Sequence, residues 1–235
     1  MDVSLVIPAY NESAILPDTL RTVSSKLAEL TDRYEVLVVD DGSTDDTAMV
    51  VERCGDPHVR LERYSPNQGK GRAVRVGMLA ARGEIILCTD ADLAYGVEVF
   101  AAILERFSTG GADLVIGSRR MDPDGYKSYP PLRLLASKCF GLLVRLASGL
   151  PYDTQCGIKG YRREAARAIF SRCTVNGFSF DFEVLMRADK LGLKVEQIPV
   201  SVVNFRESKV NLLRDSCRMF RDLFRIRRTV RRERT

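Results

Sequence analysis

Glu84-Ile85-Ile86-Leu87-Cys88-Thr89-Asp90-Ala91-Asp92 runs a five-residue buried-strand pattern straight into two carboxylates. Residues two apart in extended chain project to the same side, so Asp90 and Asp92 converge. Like charges held that close are unfavourable unless a cation sits between them. Hard divalent ions with oxygen ligands, Mg²⁺ or Mn²⁺, serve that purpose and usually share their coordination with substrate phosphates. A solvated acidic turn is the bland alternative, and the apolar strand ahead of the pair argues against it.

Working outward, short β-branched runs alternate with amphipathic ones. Val3 to Ile7, Glu35 to Val39, Val59 to Tyr64 and Asp113 to Gly117 read as further strands. Helices are predicted over Ala14 to Leu30, Thr44 to Cys54, Lys70 to Arg82 and Val97 to Phe107. Pro130-Pro131 leads into a long apolar helix, Leu132 to Ser148. Gly157 to Tyr161 reads as a short strand, Arg163 to Ser171 and Phe180 to Leu191 as helices, and Leu193 to Val203 as a late strand. Strands alternating with helices of this length imply an α/β fold, a mostly parallel twisted sheet flanked by helices. Ligands then bind outside the carboxyl ends of the strands.

The other strand ends narrow the chemistry. Ile7-Pro8-Ala9-Tyr10-Asn11-Glu12 stands where a dinucleotide-binding domain needs G-x-G-x-x-G, which excludes a dehydrogenase of that kind. Gly69-Lys70-Gly71 is only a fragment of such a pattern and reads as a loop leading into a helix near phosphate. Asp40-Asp41-Gly42-Ser43-Thr44-Asp45 closes the second strand. Ser43 or Thr44 would cap the next helix, which leaves Asp40 free to accept a hydrogen bond from a base or a ribose.

The 235 residues fit one domain, 1–208, with an extension, 209–235. Six cysteines (Cys54, Cys88, Cys139, Cys156, Cys173, Cys217) form no C-x-x-C pair, and His58 is the one histidine, which excludes a zinc site of ordinary spacing. The start, Met1-Asp2-Val3-Ser4, enters a strand pattern at once, so reduced thiols and a cytoplasmic location are expected. The most apolar run, Cys139 to Leu150, is broken by Arg145, so no membrane crossing is expected. Net charge is +5, yet Arg206 to Thr235 carries 11 basic and 4 acidic side chains and the remainder is slightly acidic. In that tail Leu213, Cys217, Phe220 and Phe224 form an apolar stripe with Leu212, Met219, Leu223 and Ile226 beside it. Arg214, Arg218, Arg221, Arg225 and Arg228 form a separate basic stripe. Such a basic amphipathic helix suits peripheral attachment to a membrane surface; the competing reading is a helix docked on the core or on a second subunit.

Val6-Ile7-Pro8-Ala9-Tyr10-Asn11-Glu12, Val39-Asp40-Asp41-Gly42-Ser43 and Asp90-Ala91-Asp92, in this order, resemble the inverting GT-A glycosyltransferases of family 2. Gly117-Ser118-Arg119, Asp153-Thr154-Gln155-Cys156-Gly157 and Glu207-Ser208-Lys209 extend the likeness to the dolichyl-phosphate (polyprenyl-phosphate) glucosyl- and mannosyltransferase branch. The resemblance implies a GT-A fold and a nucleotide sugar bound by Pro8, Tyr10, Glu12, Val38, Asp40, Asp90, Ala91, Arg206 and Lys209. It makes Asp90 and Asp92 the ligands of Mg²⁺ or Mn²⁺, and Asp92 and Arg119 the catalytic residues. Arg119 would bridge donor and acceptor phosphates. Arg133 and Ser137, one helical turn apart, share a face that matches the acceptor-phosphate helix of this branch. Asp153, Gln155 and Asp181 are further candidates for donor or sugar contact, with helix capping the simpler account of Asp181.

A phosphate acceptor is largely dianionic at neutral pH and needs cations rather than a general base. Direct attack inverts, so an α-linked nucleotide sugar yields a β-linked lipid phosphate sugar. Asp153 to Gly157, and Ala94 two residues after Asp92, look more like the glucosyl than the mannosyl members, which favours UDP-glucose over GDP-mannose. The expected partners are that nucleotide sugar, a polyprenyl or dolichyl phosphate and the cytoplasmic membrane surface. A nucleic-acid-binding protein built on the arginine-rich tail leaves the acidic pair without purpose, and nucleic acid is not an expected partner. A nucleotide-sugar-binding protein without catalysis is the other alternative.

Overall fold

Val3, Leu5 and Ile7 of the first strand, β1 (Val3–Ala9), pack into one apolar cluster, while Val6 packs into a second on the opposite face. The next strand, β2 (Tyr34–Asp41), divides in the same way, with Val36 and Val38 on one side and Leu37 and Val39 on the other. Both faces are therefore covered, which is why these strands read as unbroken apolar runs. The computed structural model describes residues 2–127, 134, 141, 144–145, 149–204 and 212–233.

The remaining strands are β3 (Val59–Tyr64), β4 (Ile85–Cys88), β5 (Leu114–Ser118), β6 (Lys159–Arg162) and β7 (Val195–Pro199). They complete a seven-stranded sheet in the order β3-β2-β1-β4-β6-β5-β7. Only β6 runs antiparallel to its neighbours, β4 and β5; the other pairings are parallel. Two consequences position the site. The chain steps from β1 outward through β2 and β3, then returns to place β4 on the other side of β1, so a crevice opens between the carboxyl ends of β1 and β4. Because β6 is reversed, the residues leading into it arrive at that same rim.

The helices are α1 (Leu16–Leu30), α2 (Thr47–Glu52), α3 (Lys70–Ala80), α4 (Val99–Thr109), α5 (Arg163–Phe170), α6 (Phe180–Lys190) and α7 (Leu212–Arg232). Leu16, Leu20, Val23 and Leu27 give α1 its buried stripe, and Pro17 sits in its first turn, where a missing N–H costs nothing. In α3 the buried residues are mostly small: Gly71, Ala73, Val74, Gly77 and Met78. That allows α3 to lie close against β1 and β2. On α7, Leu223, Ile226 and Val230 are buried in the core cluster that includes α6. Phe224, Arg225 and Arg228 are exposed. Arg187 on α6 also holds Glu233, just beyond α7, through two hydrogen bonds of 2.7 and 3.1 Å.

Several boundaries differ from the sequence expectation for local reasons. The late strand stops at Pro199 rather than Val203: Val200 N–H makes one more bond to Ser118 O, and Val203 then donates to Ala94 O instead. Helix α2 begins at Thr47, because Ser43 and Thr44, expected as its caps, bond to Asn11 instead. The helix expected over Leu132 to Ser148 lies mostly outside the described residues.

Gly77 tests the close approach of α3. A Cβ there would strike Val6 and lie 2.9 Å from Val39 Cγ2. Gly77→Val is expected to lower the stability measured by urea unfolding by about 1–3 kcal/mol, the usual range for overpacking.

Candidate active site

The loop after β1 is laced to the loop after β2. Asn11, at φ 54, donates its N–H to Ser43 Oγ at 2.9 Å, and its Oδ1 accepts the Thr44 N–H at 2.8 Å. Glu12 N–H donates to Thr47 Oγ1, and Asp45 accepts from the Ser13 and Thr47 hydroxyls. Pro8, Tyr10 and Glu12 are thereby held along one wall of the crevice, with Tyr10 among the exposed large side chains. Asp40, at the end of β2, is fully buried. One of its oxygens accepts the Ser43 N–H at 2.8 Å. The other lies 3.1 Å from Arg63 Nε without the alignment of a hydrogen bond, and has no hydrogen-bond partner. Val38 is packed in the core.

Asp41 builds the neighbouring wall. Its two oxygens accept the N–H groups of Gln68 and Gly69 and the amide of Asn67, each at 2.8 Å. The loop 66–69 is thus pinned at the start of α3. Gly69 there has φ +104, and a Cβ would come within 2.6 Å of Asn176 O, so both conformation and space require glycine.

The acidic pair follows β4. Asp90 Oδ1 is 2.5 Å from Lys70 Nζ, and Asp92 Oδ1 accepts the Ala94 N–H at 3.1 Å. Burial first, then the charge of Asp90, pushes Asp92 above the usual carboxylate range, and Glu12 adds to the push. Behind the pair, Lys159 in β6 is buried and reaches Asp181 at the start of α6, 2.5 Å away. Burial raises the Asp181 carboxyl, with Lys159 and Lys70 opposing. Burial also works against the charge of Lys70, but Asp90 and Asp181 outweigh it and Lys70 is firmly cationic. Asp90, Asp92 and Asp181 thus meet Lys70 and Lys159, with Glu12 close enough for its charge to act on Asp92. Gly157 keeps the approach to Asp90 open, since a Cβ there would lie 2.7 Å from Oδ2. Among the described residues no cluster of three or more His, Cys, Asp or Glu forms a ligand set. The two carboxylates suit an ion that takes one or two from protein and the rest from water and substrate phosphates.

Arg119 follows β5 on the same rim and is buried. It grips Asp153 in a fork, Nε to Oδ2 at 2.9 Å and Nη2 to Oδ1 at 2.7 Å, while its backbone N–H donates to Oδ2 at 3.1 Å. Gln155 lines a small hollow with Phe178, Asp181 and Leu223. Ala91 is buried, and its carbonyl accepts the Thr19 hydroxyl. Asp181, read from sequence as a helix cap, pairs with Lys159 instead. Arg133, Ser137, Arg206 and Lys209 lie outside the described residues. The chain just ahead of Arg206 is tied to the acidic loop, with Val203 and Asn204 N–H donating to Ala94 O and the Asn204 amide to Leu93 O.

The family model described as "Glycosyl transferase family 2" matches residues 4–170. This chain belongs to glycosyltransferase family 2. It is 33% identical to a dolichyl-phosphate beta-glucosyltransferase of Dictyostelium discoideum, over 95% of this chain and 73% of the relative. Glycosyltransferase AglD of Haloferax volcanii is 34% identical over 92% of this chain, which spans only 35% of that relative's length. The fold is also that of glucosyl-3-phosphoglycerate synthase from Mycobacterium tuberculosis, solved in complex with uridine diphosphate: TM-score 0.72 at 23% identity, covering 97% of this chain and 79% of that one.

Sequence reading of the glycosyltransferase missed Lys70 and Lys159 as members of this cluster. A lysine inside the apolar run into β6 was the available signal, since a buried ammonium requires a buried partner. Nothing local named that partner, Asp181, 22 residues away.

The Arg119–Asp153 fork carries a prediction with a definite sign. Burial alone would raise the Asp153 carboxyl, but Arg119 holds it below its usual value. The stabilisation is therefore present above the unfolded carboxylate pKa and lost as pH falls through the lower folded value. Asp153→Asn is expected to cost about 3–5 kcal/mol at neutral pH. It should also flatten the acid limb below about pH 4, as read by urea unfolding across pH.

Proposed function

We propose that this glycosyltransferase moves glucose from UDP-glucose to the phosphate of a polyprenyl or dolichyl phosphate, with inversion, to give a β-linked lipid phosphate sugar. The observation that carries this reading is the 33% identity to a dolichyl-phosphate beta-glucosyltransferase over nearly the whole chain. The geometry agrees with it. The carboxylate behind the acidic pair, Asp181, is engaged by Lys159, which suits an acceptor that is already an anion rather than a hydroxyl needing a base.

In this reading the Asp40 oxygen that makes no hydrogen bond, and is paired only with Arg63, accepts from the base or ribose, and Pro8, Tyr10 and Glu12 line that pocket. Asp90 and Asp92 hold Mg²⁺ or Mn²⁺, which when bound supplies Lewis-acid stabilisation of the departing diphosphate. Arg119, fixed in place by Asp153, faces the acceptor side with Arg133 and Ser137. Arg206 and Lys209 would bind the donor diphosphate. An acceptor phosphate oxygen forms the new bond to the anomeric carbon as the bond to the nucleotide diphosphate breaks on the opposite face. GDP-mannose is the alternative donor.

We further propose a peripheral site of action at the cytoplasmic membrane surface. Among the described residues no helix is long and apolar enough to cross a membrane. With Leu223, Ile226 and Val230 covered by the core, α7 turns Arg221, Phe224, Arg225 and Arg228 outward. Each basic residue near an anionic surface contributes about 1 kcal/mol.

Radiolabelled sugar from UDP-glucose, and separately from GDP-mannose, should be offered with a short prenyl phosphate and Mn²⁺ or Mg²⁺. Lipid-linked product from UDP-glucose is expected, abolished by chelator and by Asp92→Ala. Retained nucleotide binding without transfer from either donor would sink the lipid-phosphate assignment. In flotation with anionic liposomes, replacing Arg221, Arg225 and Arg228 by Gln is expected to weaken binding on the order of a hundredfold. Unchanged flotation would leave α7 as a packing helix only.

A further inference from the structure

Lys70 has no part in the chemistry above, yet it stands at an awkward place. It is the first residue of α3, where the helix dipole disfavours a cation. The backbone that carries it is fixed on both sides. Asp41 takes the N–H groups of Gln68 and Gly69, and Gly71 N–H donates to Asn176 O at 2.7 Å. A Cβ at Gly69 would meet Asn176 O at 2.6 Å, and one at Gly71 would meet Val175 O at the same distance. A lysine flanked by two required glycines is thus mounted on a rigid platform, with its ammonium 2.5 Å from Asp90 Oδ1.

We propose that Lys70 is a built-in competitor for the divalent ion, a positioning residue that fills the cation place on Asp90 and sets how tightly the ion binds. The inference rests on the reading of Asp90 and Asp92 as the ion's ligands. With Lys70 on Asp90 and Lys159 on Asp181, the cluster keeps its shape in the absence of the ion. An ion held by both Asp90 and Asp92 must take Asp90 from the ammonium, and that exchange subtracts from its affinity. A neutral side chain of similar length removes the competitor and leaves the cluster one charge more negative.

The test is Mn²⁺ binding to the full chain, by calorimetry and by the electron paramagnetic resonance of free Mn²⁺, with and without UDP. Lys70→Met is expected to bind Mn²⁺ about tenfold more tightly than wild type, and Lys70→Arg to stay near wild type. A lysine that merely braces Asp90 predicts the opposite sign, so unchanged or weaker binding by Lys70→Met overturns the proposal. Should that variant fail to fold, the wild-type protein decides the matter through the ¹⁵N signal of the Lys70 ammonium. Its resonance is expected to shift as Mg²⁺ saturates the site, and a signal indifferent to saturating Mg²⁺ overturns the proposal. Wild-type protein that binds no Mn²⁺, with or without UDP, would overturn the ligand assignment of Asp90 and Asp92 as well, which separates the two failures.

Discussion

Charge that leaves water must be paired, and four carboxylates gathered at the edge between β1 and β4 make that requirement acute. The surrounding structure follows from meeting it. Lys159, the first residue of β6, is buried there because Asp181 needs a cation behind the acidic pair. Lys70 occupies the unfavourable end of α3 because Asp90 needs one in front. Gly69 and Gly71 let the platform under Lys70 pack against residues 175–176, and Gly157 keeps the other oxygen of Asp90 clear. Asp92, raised by burial and by the charge of Asp90, is where a divalent ion would add further cationic charge.

Two other buried pairs serve different ends. The Arg119–Asp153 fork fixes a guanidinium at the carboxyl end of β5, on the rim that β4 shares. A fork of two parallel bonds sets orientation as well as position, which a lysine could not do. At the far side, Glu183 accepts the Val175 N–H and both donors of Thr174, and pairs with Arg187 at 2.8 Å. Arg187 in turn reaches Glu233 beyond α7. The same glutamate therefore orders the loop that supports α3 and, through Arg187, anchors the end of the C-terminal helix at Glu233. Docking takes up Leu223, Ile226 and Val230 while leaving Phe224 and several arginines outward, so packing on the core and a role at a surface are compatible for this helix.

Within the sheet, apolar runs bounded by turns made β1, β2, β4 and β5 legible, and alternation of apolar and charged residues did so for β3; Pro8, Asp40, Asp90 and Asp92 stood out at the ends of the apolar runs. The reversed direction of β6 was not legible, because strand period says nothing of direction. That one reversal delivers Gly157 to Asp90, and Lys159 to the back of the cluster. The roles expected of Ser43 and Asp181 as helix caps failed for a related reason. A cap is a local bond, and each side chain found a stronger partner from a distant segment, Asn11 for Ser43 and Lys159 for Asp181.

The amino-acid sequence by itself determined the α/β class, the alternation that covers both faces of the sheet, and the acidic pair at a strand end. All three are properties of neighbouring residues, governed by backbone period and by the cost of burying charge. Tertiary structure alone decided which cations neutralise that pair, where Arg119 is held, and how the C-terminal helix is seated. Those are contacts between segments tens of residues apart, and only the strand order and the reversal of β6 bring them within the few ångströms over which ion pairs and hydrogen bonds act.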